Sequence, residues 1–382
     1  VMVKQTTVAG LSGLVAAALL VAACSESVGP QRTGLRSPAF DVGGDQLNGT
    51  LNESGTMLIK GFNPANPHHG DAIVATFVWL GSTNIIDSVT DVLTTTPYTP
   101  VGNTYTLVEY VAAGGISMAT YVATNVQNFP DPYSDPSGTY ILAVRANLSA
   151  PVTDGGAMIS AWSGVYPTLA GALGTHRSAS GSGSSYPTTA DPGAVPVTAG
   201  ALAFGITMSN AVVSRDPPPG FGVFVVQSDS YMVDEADTAV AASAGTVDPQ
   251  WNWIFSSPST WLASVFSLNE APTKLLFTVQ PSTSLPCPVT MPPVQVTAED
   301  DKGRTVRAYN GPVTIAIGHN AGAVMAGTLS GTLTVSAVNG VARFGDLCID
   351  QPNLPGNGYT LRATSGVVVL SVESAGFNVG AL

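Results

Sequence analysis

The chain has 382 residues, of which 45% are hydrophobic and only 10% are charged, and its formal net charge is −12. This composition is sufficient to bury sizeable hydrophobic cores, and the length is typical of about two domains. The acidic balance argues against nucleic acid as a partner, because nucleic-acid binding requires lysine and arginine clustered on one face.

The first 24 residues have the pattern of an export signal. Lys4 precedes an uncharged run from Gln5 to Ala23 that is rich in alanine, leucine and valine. A basic start, an apolar stretch and small residues at the end are typical of a cleaved secretory signal. A run of this length also suits a membrane-spanning helix, although its internal glycines and serine weaken that interpretation.

The end of this segment, Val21-Ala22-Ala23-Cys24, resembles the lipobox of bacterial lipoproteins. The resemblance implies that residues 1–23 are removed and that Cys24 is diacylated and then acylated at its new amino terminus. Two or more acyl chains anchor a protein stably, whereas one does so only marginally. Because Ser25 rather than Asp follows the cysteine, the family's sorting rule implies the outer membrane or cell surface in a cell with two membranes. The alternative is an ordinary cleaved signal followed by a chance cysteine.

Residues 24–52 are polar and interrupted by glycine and proline, which predicts a flexible tether. In residues 53–271 several apolar runs alternate with polar residues, whereas Ala72–Trp79 is almost continuously apolar. Alternation predicts strands with one solvated face, and a continuous run predicts a strand covered on both faces. Nine candidate strands in about 220 residues predict a two-sheet, jelly-roll-like β-sandwich. They are Met57–Phe62, Ala72–Trp79, Tyr105–Val111, Ile116–Val122, Tyr140–Ala146, Ala157–Trp162, Leu202–Met208, Gly222–Gln227 and Trp261–Leu268.

Two segments of this region, Asn128–Gly138 and Thr175–Gly193, are rich in turn residues, and we expect the second to be a mobile surface loop. The order of the segments HGDAIVATFVW, SVTDVL, GNTYT and AWSGV resembles a sandwich domain of secreted bacterial proteins without an assigned function. The resemblance implies a fold and no particular chemistry.

Residues 272–382 form a second predicted module. Acidic and basic residues balance here at six each, whereas residues 61–271 contain fifteen acidic and three basic residues. Asn339-Gly340 between two apolar runs predicts a hairpin with a type I′ turn. Seven short candidate strands in about 110 residues match the number of strands in an immunoglobulin-like domain. They are Lys274–Val279, Val294–Glu299, Val313–Ile317, Thr332–Val338, Val341–Phe344, Tyr359–Ala363 and Val367–Val372.

The segments VQVTAEDDKGRTV, GPVTIAIG, NGVARF and YTLRATSG of this module resemble bacterial Ig-like domains of the Big/invasin type. Such domains serve as spacers and adhesive modules in surface proteins. Cys287 and Cys348 both lie in this module, and an exported protein favours a disulfide between them. Metal binding is the competing use, but two cysteines without further cysteine or paired histidine make a poor site.

Catalytic motifs are absent from the sequence: there is no GxSxG, HExxH, P-loop or GxGxxG pattern. The segment Val233–Val240 resembles the Glu-x-Asp-x-x-Glu strand of laminarinase-type glycosidases, with Glu235 and Asp237 matching. Val240 replaces the last Glu, which in that family is the acid/base residue. We therefore expect no enzymatic activity, and a glycan hydrolase remains an alternative that needs a close pair of carboxylates.

Two groups of acidic residues are candidate calcium ligands, because Ca²⁺ takes six to eight oxygen ligands. Asp229, Asp234, Glu235 and Asp237 are the first candidate set, and Asp131 with Asp135 the second. Neither set matches a known calcium signature, and solvated acidic loops are the alternative. The His68, His69 and Asp71 cluster is interpreted as solvated side chains rather than as a metal site.

Three functional hypotheses follow from these features. The favoured one is a non-enzymatic cell-envelope lipoprotein, held to the membrane through Cys24, that acts in adhesion or structure and contacts an extracellular matrix protein or polysaccharide. A carbohydrate-binding lipoprotein is the second, and it requires an exposed aromatic strip, for which Trp251, Trp253 and Trp261 are candidates unless they are core residues. The third is the glycan hydrolase.

Overall fold

The structure is a computed structural model, and it describes residues 42–132, 140–184, 188–210, 217–253, 258–300, 303–322, 325–350 and 356–380. These residues lie mainly in β-strands arranged in several antiparallel sheets, and the one helix among them has four residues. The predicted all-β sandwich fold is confirmed.

The larger module contains the first sixteen strands of the described chain and the short helix. The elements are β1 (Gly43–Gly61), β2 (Ala72–Leu80), β3 (Ile86–Leu93), β4 (Thr99–Pro100), β5 (Thr106–Ala113), β6 (Ile116–Ala123), β7 (Leu142–Ser163), α1 (Leu169–Ala172), β8 (Leu173–Gly183), β9 (Thr188–Ala190), β10 (Val195–Val197), β11 (Leu202–Ser209), β12 (Gly222–Ser228), β13 (Val233–Val240), β14 (Gly245–Val247), β15 (Trp251–Trp253) and β16 (Ser259–Leu268).

Two large sheets make up this module. The first has the order β4-β3-β7-β2-β6-β5, and the second has the order β12-β13-β11-β16-β8. The 22-residue strand β7 organises the first sheet, because β1 pairs with one edge of it while β2 and β3 pair with successive parts of the other edge. Two short pairs, β10-β14 and β15-β9, lie outside these sheets.

Hydrophobic side chains cover both faces of the first sheet. Along β2, Val74 and Val78 join the core that lies between the two large sheets. The alternate residues Ile73, Phe77 and Trp79 join a second core on the opposite face. Because successive strand residues point to opposite faces, burial on both sides explains why this run is apolar throughout.

The predicted tether is wrong for its last ten residues, because Gly43–Asn52 forms the first half of β1. The glycines of this segment permit close contacts. A Cβ on Gly49 would lie 1.8 Å from the Nε2 of Gln227, and one on Gly44 would lie 3.4 Å from the Trp162 ring. Leu47 and Leu51 pack against the inter-sheet core. Residues 1–41 lie outside the described part of the chain.

The prediction of a mobile loop at Thr175–Gly193 is also wrong. Residues up to Gly183 belong to the edge strand β8, which pairs with β16, and β9 pairs with β15. Glycine has a steric role here as well, since a Cβ on Gly181 would lie 2.5 Å from the Cζ2 of Trp261. The absence of a side chain allows this indole to lie against the strand.

The C-terminal module contains the remaining strands of the described chain. They form the sheets β17-β18-β22 and β21-β19-β25-β26 and the pairs β20-β23 and β24-β27. Their bounds are β17 (Lys274–Val279), β18 (Val294–Glu299), β19 (Pro312–Ile317), β20 (Thr328–Ser330), β21 (Thr334–Ser336), β22 (Val341–Phe344), β23 (Cys348–Asp350), β24 (Gly356–Tyr359), β25 (Leu361–Ser365), β26 (Ser371–Glu373) and β27 (Phe377–Val379).

The predicted type I′ turn is confirmed in this module. Asn339 and Gly340 have φ angles of 49° and 80°, as both central positions of such a turn require. Val338 and Val341 exchange backbone hydrogen bonds of 3.0 and 3.1 Å across it.

Candidate functional site

The predicted disulfide between Cys287 and Cys348 is present, with a Cα–Cα distance of 5.3 Å. It ties the segment before β18 to the start of β23, where the Cys287 backbone N–H also donates to the Ile349 carbonyl at 3.1 Å. Cys24, the predicted site of lipid attachment, lies outside the described residues.

The acidic strand β13 separates the predicted calcium ligands onto two faces of its sheet. Asp234 is the cross-strand partner of Met208, whose side chain belongs to the core between the large sheets. Glu235 and Asp237 occupy alternate positions and therefore face the other side. All three carboxylates are fully buried. The four predicted ligands Asp229, Asp234, Glu235 and Asp237 therefore do not converge on one site.

Glu235 and Asp237 lie beneath β15 and form a hydrogen-bonded pair. The Trp251 indole N–H donates to the Asp237 carboxylate at 2.7 Å. The ring reaches this position over Gly205, where a Cβ would lie 2.9 Å from the Trp251 ring. Burial raises the pKa of Asp237 to about 6, although the hydrogen bonds with Trp251 and Glu235 oppose the rise. A glycan has no access to either carboxylate in this arrangement.

A second acidic cluster lies between the two large sheets and contains Asp154, Asp229 and Asp234. Asp154 comes from β7, and Asp229 lies in the turn between β12 and β13. Burial, followed by the charge of Asp229, raises the pKa of Asp154 and raises that of Asp234 well above its usual value. The side chain of Gln227 points to the same region, since Gln227 pairs directly with Asp234 across β12 and β13.

Two members of this interior cluster, Asp154 and Gln227, were not among the sequence candidates. Asp154 lies about 75 to 80 residues before its partners in the sequence, and only the packing of one sheet on the other brings it near them. No local motif marks either residue. This separation in sequence explains why the sequence predicted Asp229 and Asp234 as ligands but not Asp154.

The His68 and His69 segment is held by carboxylates, and the prediction of solvated rings is wrong for His68, which is half-buried, whereas His69 is exposed. The Nδ1 of His68 lies 2.7 Å from Asp45, and the His68 backbone N–H donates to Asp45 and Asp71 at 3.0 and 3.2 Å. The His69 N–H donates to Asp131 at 2.7 Å. Asp135, the other member of the second predicted calcium set, lies outside the described residues.

Ligand atoms of Asp45, His68 and Asp71 lie within 4.8 Å of one another, which is close enough for a metal ion. The hydrogen bonds just described already engage these atoms. The cluster thereby fixes the turn before β2 against the start of β1, which is a structural role that requires no ion.

Trp251, Trp253 and Trp261 are core residues, so the tryptophan platform that the carbohydrate-binding alternative requires is absent. All five tryptophans of the chain are buried, and Trp251, Trp253 and Trp261 pack together with Ala190, Val233 and Ala263 in one core beneath the second sheet. A sugar-stacking surface needs exposed ring faces. These three indoles present none.

The junction between the two modules is also built from buried charged groups. Arg304 of the C-terminal module donates to Asp300 and, at 3.3 Å, to Glu270 at the end of the larger module. Glu270 and Asp300 are both buried. The rings of Tyr166 and Tyr309 meet across the junction with a centroid distance of 6.3 Å, and the two modules share one continuous hydrophobic core.

Comparison with known proteins gives no family assignment: no family model matches the chain, and no curated protein matches it either. Within the described residues, no helix is both long and apolar enough to cross a membrane.

Proposed function

We propose that the protein is a non-enzymatic, lipid-anchored component of a bacterial cell envelope that acts in structure or adhesion. In this proposal acyl chains at Cys24 hold it at the outer membrane or cell surface, the sandwich contacts matrix protein or polysaccharide, and the Ig-like module acts as a spacer or assembly unit. The lipobox resemblance supports the anchor, and the Big/invasin resemblance supports the spacer and adhesive role.

The junction between the modules is the observation that carries the structural part of this proposal. Arg304 bridges buried carboxylates from both sides, and the hydrophobic core continues through the junction. A spacer transmits position only if its modules do not swivel, and an extended apolar and ion-paired contact restricts such motion. A disulfide in the C-terminal module fits an exported protein.

Membrane attachment is tested by labelling cells with a radioactive fatty acid and separating membrane from soluble fractions. We expect the wild-type chain to carry label and to sediment with membranes, and the Cys24→Ser variant to lose both properties. Cys287→Ser is the matched control, because it removes a different cysteine and leaves the lipobox intact. Label that persists in Cys24→Ser would contradict the proposed anchor.

Adhesion is tested by measuring binding of the full-length chain to a panel of immobilised matrix proteins and polysaccharides. Saturable binding to one of them, without release of any soluble fragment from it, is the expected result. Release of sugar or peptide products would instead favour an enzyme, and the absence of binding across the panel would leave only the structural role.

A further inference from the structure

The interior acidic cluster contains buried oxygen atoms that make no hydrogen bond of normal geometry, although backbone N–H groups of Gly155 and Asn52 approach Asp154 and that of Gln227 approaches Asp234. The buried oxygen atoms are both carboxylate oxygens of Asp154, both of Asp234, the Oδ2 of Asp229 and the Oε1 of Gln227. A buried polar atom without a partner destabilises a fold, and more so when it is charged. Six such atoms in one region of a folded protein indicate that something else satisfies them.

The backbone directs these side chains toward one another. Gln227 and Asp234 are cross-strand partners, and Asp234 shares its face with the core residue Met208. The amide of Gln227 extends over Gly49 of β1, where any side chain would displace it. Asp154 approaches from β7 at a shift in the pairing with β1, a type of irregularity that redirects side chains.

Asp229 occupies the position between the other two carboxylates. One of its oxygens, Oδ1, accepts the backbone N–H groups of Tyr231 and Met232 at 2.6 and 2.8 Å. These bonds fix the turn and leave the other oxygen, Oδ2, buried, and the Asp229 side chain interacts with the Asp154 carboxyl group. The turn therefore positions one carboxylate beside a second one, and two carboxylates at such close range need a proton or a cation between them.

Charge is unbalanced in the cluster, since no Lys or Arg of the described chain forms an ion pair with any of the three aspartates. Asp154 and Asp234 are buried and Asp229 is half-buried, so three ionised carboxylates this close together would be costly. Either protons or a cation must neutralise them.

We propose that Asp154, Gln227, Asp229 and Asp234 bind a calcium ion between the two sheets of the larger module. Six oxygen atoms, including one neutral amide oxygen, match the six to eight oxygen ligands that Ca²⁺ takes. Zinc fits poorly because the donor set contains neither nitrogen nor sulfur, and Mg²⁺ is usually bound through one or two carboxylates with several waters rather than by a set of six protein oxygens. The inference does not depend on the lipid anchor or on adhesion.

Binding would contract the cluster. Among the described residues, only the Asp45, His68 and Asp71 group has three candidate ligand atoms within 4.8 Å of one another. The carboxylate oxygens of the three interior aspartates do not all lie this close, so they must move closer together to bind an ion. Closure draws the β12–β13 turn toward β7 and thereby links the two sheets. We expect calcium to stabilise the fold as well as to neutralise charge.

The test uses the full-length chain in detergent, first treated with a chelator and then titrated with CaCl₂ by calorimetry. We expect saturable binding of one ion at this cluster, and a rise in melting temperature of about 5 °C at a calcium concentration 100 times the dissociation constant. Asp234→Asn and Asp154→Asn should each weaken binding by at least about 100-fold, and Gln227→Ala by about 10-fold.

Two control variants distinguish this cluster from its neighbours. Asp237→Asn changes a carboxylate on the opposite face of β13, and Asp45→Asn changes the His68 cluster, so both should bind calcium like the wild-type chain. Circular dichroism without calcium identifies variants that fail to fold, and Gln227→Ala leaves the charge unchanged. The proposal is overturned if the folded wild-type chain binds no calcium, or if Asp45→Asn abolishes binding while Gln227→Ala does not weaken it.

Discussion

The carboxylates of β13 are buried on both faces of the strand, and the groups that surround them differ between the two faces. On one face, Glu235 and Asp237 pair with each other beneath Trp251. On the other face, Asp229 interacts with both Asp154 and Asp234, and no basic residue of the described chain pairs with these three carboxylates. Removing an ionised carboxylate from water costs several kcal/mol, so a proton or a cation must accompany each group.

The pH dependence of stability tests the Trp251-covered pair. Because the folded pKa of Asp237 is raised to about 6, its contribution to stability is fully present below pH 3.8 and is lost as pH rises through 6. Between pH 4 and 7 we expect the wild-type chain to lose on the order of 1 to 3 kcal/mol relative to Asp237→Asn. Urea unfolding at several pH values measures this, and equal pH dependence in both proteins would contradict it.

Close packing around β1 gives a second prediction about single residues. A Cβ on Gly156 would lie 2.1 Å from the Thr50 carbonyl oxygen, and backbone cannot move aside as a flexible side chain can. We expect Gly156→Ala to lower the free energy of unfolding by about 2 kcal/mol or more. Gly222→Ala is the matched control, because its nearest neighbour would be 4.0 Å away, and chemical denaturation should find it nearly neutral.

At the scale of the strands, alternating apolar and polar residues and long apolar runs predicted strands correctly, whereas glycine-rich segments were wrongly interpreted as a tether and a loop. The predicted strands at β2, β6, β11 and β16 are present because packing on both sides of a sheet requires apolar residues there, and β17 is present with one buried and one exposed face. Glycine-rich segments suggested a tether and a loop, yet they form β1 and β8. In both strands glycine makes room for a neighbouring side chain, and that neighbour is distant in sequence.

The strand β13 shows the complementary failure, since three of its eight residues are acidic and it was not among the predicted strands. Acidic residues are depleted in strands because an exposed pleated surface gains little from them. Here burial within a sheet and pairing across it override that preference. The candidate ligands of this strand were visible in the sequence, whereas Asp154 became apparent only through sheet packing.

Within the C-terminal module, the disulfide is the element whose removal has the most readily estimated effect. Cys287 and Cys348 are separated by 61 residues, and closing a loop of this length stabilises a fold by about 4 kcal/mol on the chain-entropy model. We expect the Cys287→Ala/Cys348→Ala double variant to lose about that amount, as measured by denaturant unfolding under non-reducing conditions. A reducing agent should lower the stability of the wild-type chain and leave the variant unchanged.

On the scale of the whole molecule, the junction determines whether the two modules behave as one body. Arg304 is partly exposed, but the carboxylates that it contacts are buried and come from both sides of the junction. Loss of the arginine leaves Glu270 and Asp300 without this cation, which typically costs about 3 to 5 kcal/mol for a buried pair and less for a partly solvated one.

We therefore expect Arg304→Met to uncouple the modules. Calorimetry should show one cooperative transition for the wild-type chain and two for the variant, with the C-terminal module unfolding at the lower temperature. Arg307→Met is the matched control, since Arg307 is exposed nearby, and its transition should remain single. A single unshifted transition in Arg304→Met would show that the apolar contact alone couples the modules.

The position of Gly43 has a mechanical consequence in the proposed lipid-anchored arrangement. Gly43 pairs with Ser163, and two residues later Val165 bridges to Glu270, where the C-terminal module begins. Tension between the anchor and that module therefore enters and leaves the sandwich at the same end. Such a load opens the β1–β7 pairs one after another from Gly43, and releasing ten residues of β1 would lengthen the tether by about 35 Å before the rest of the sandwich bears force.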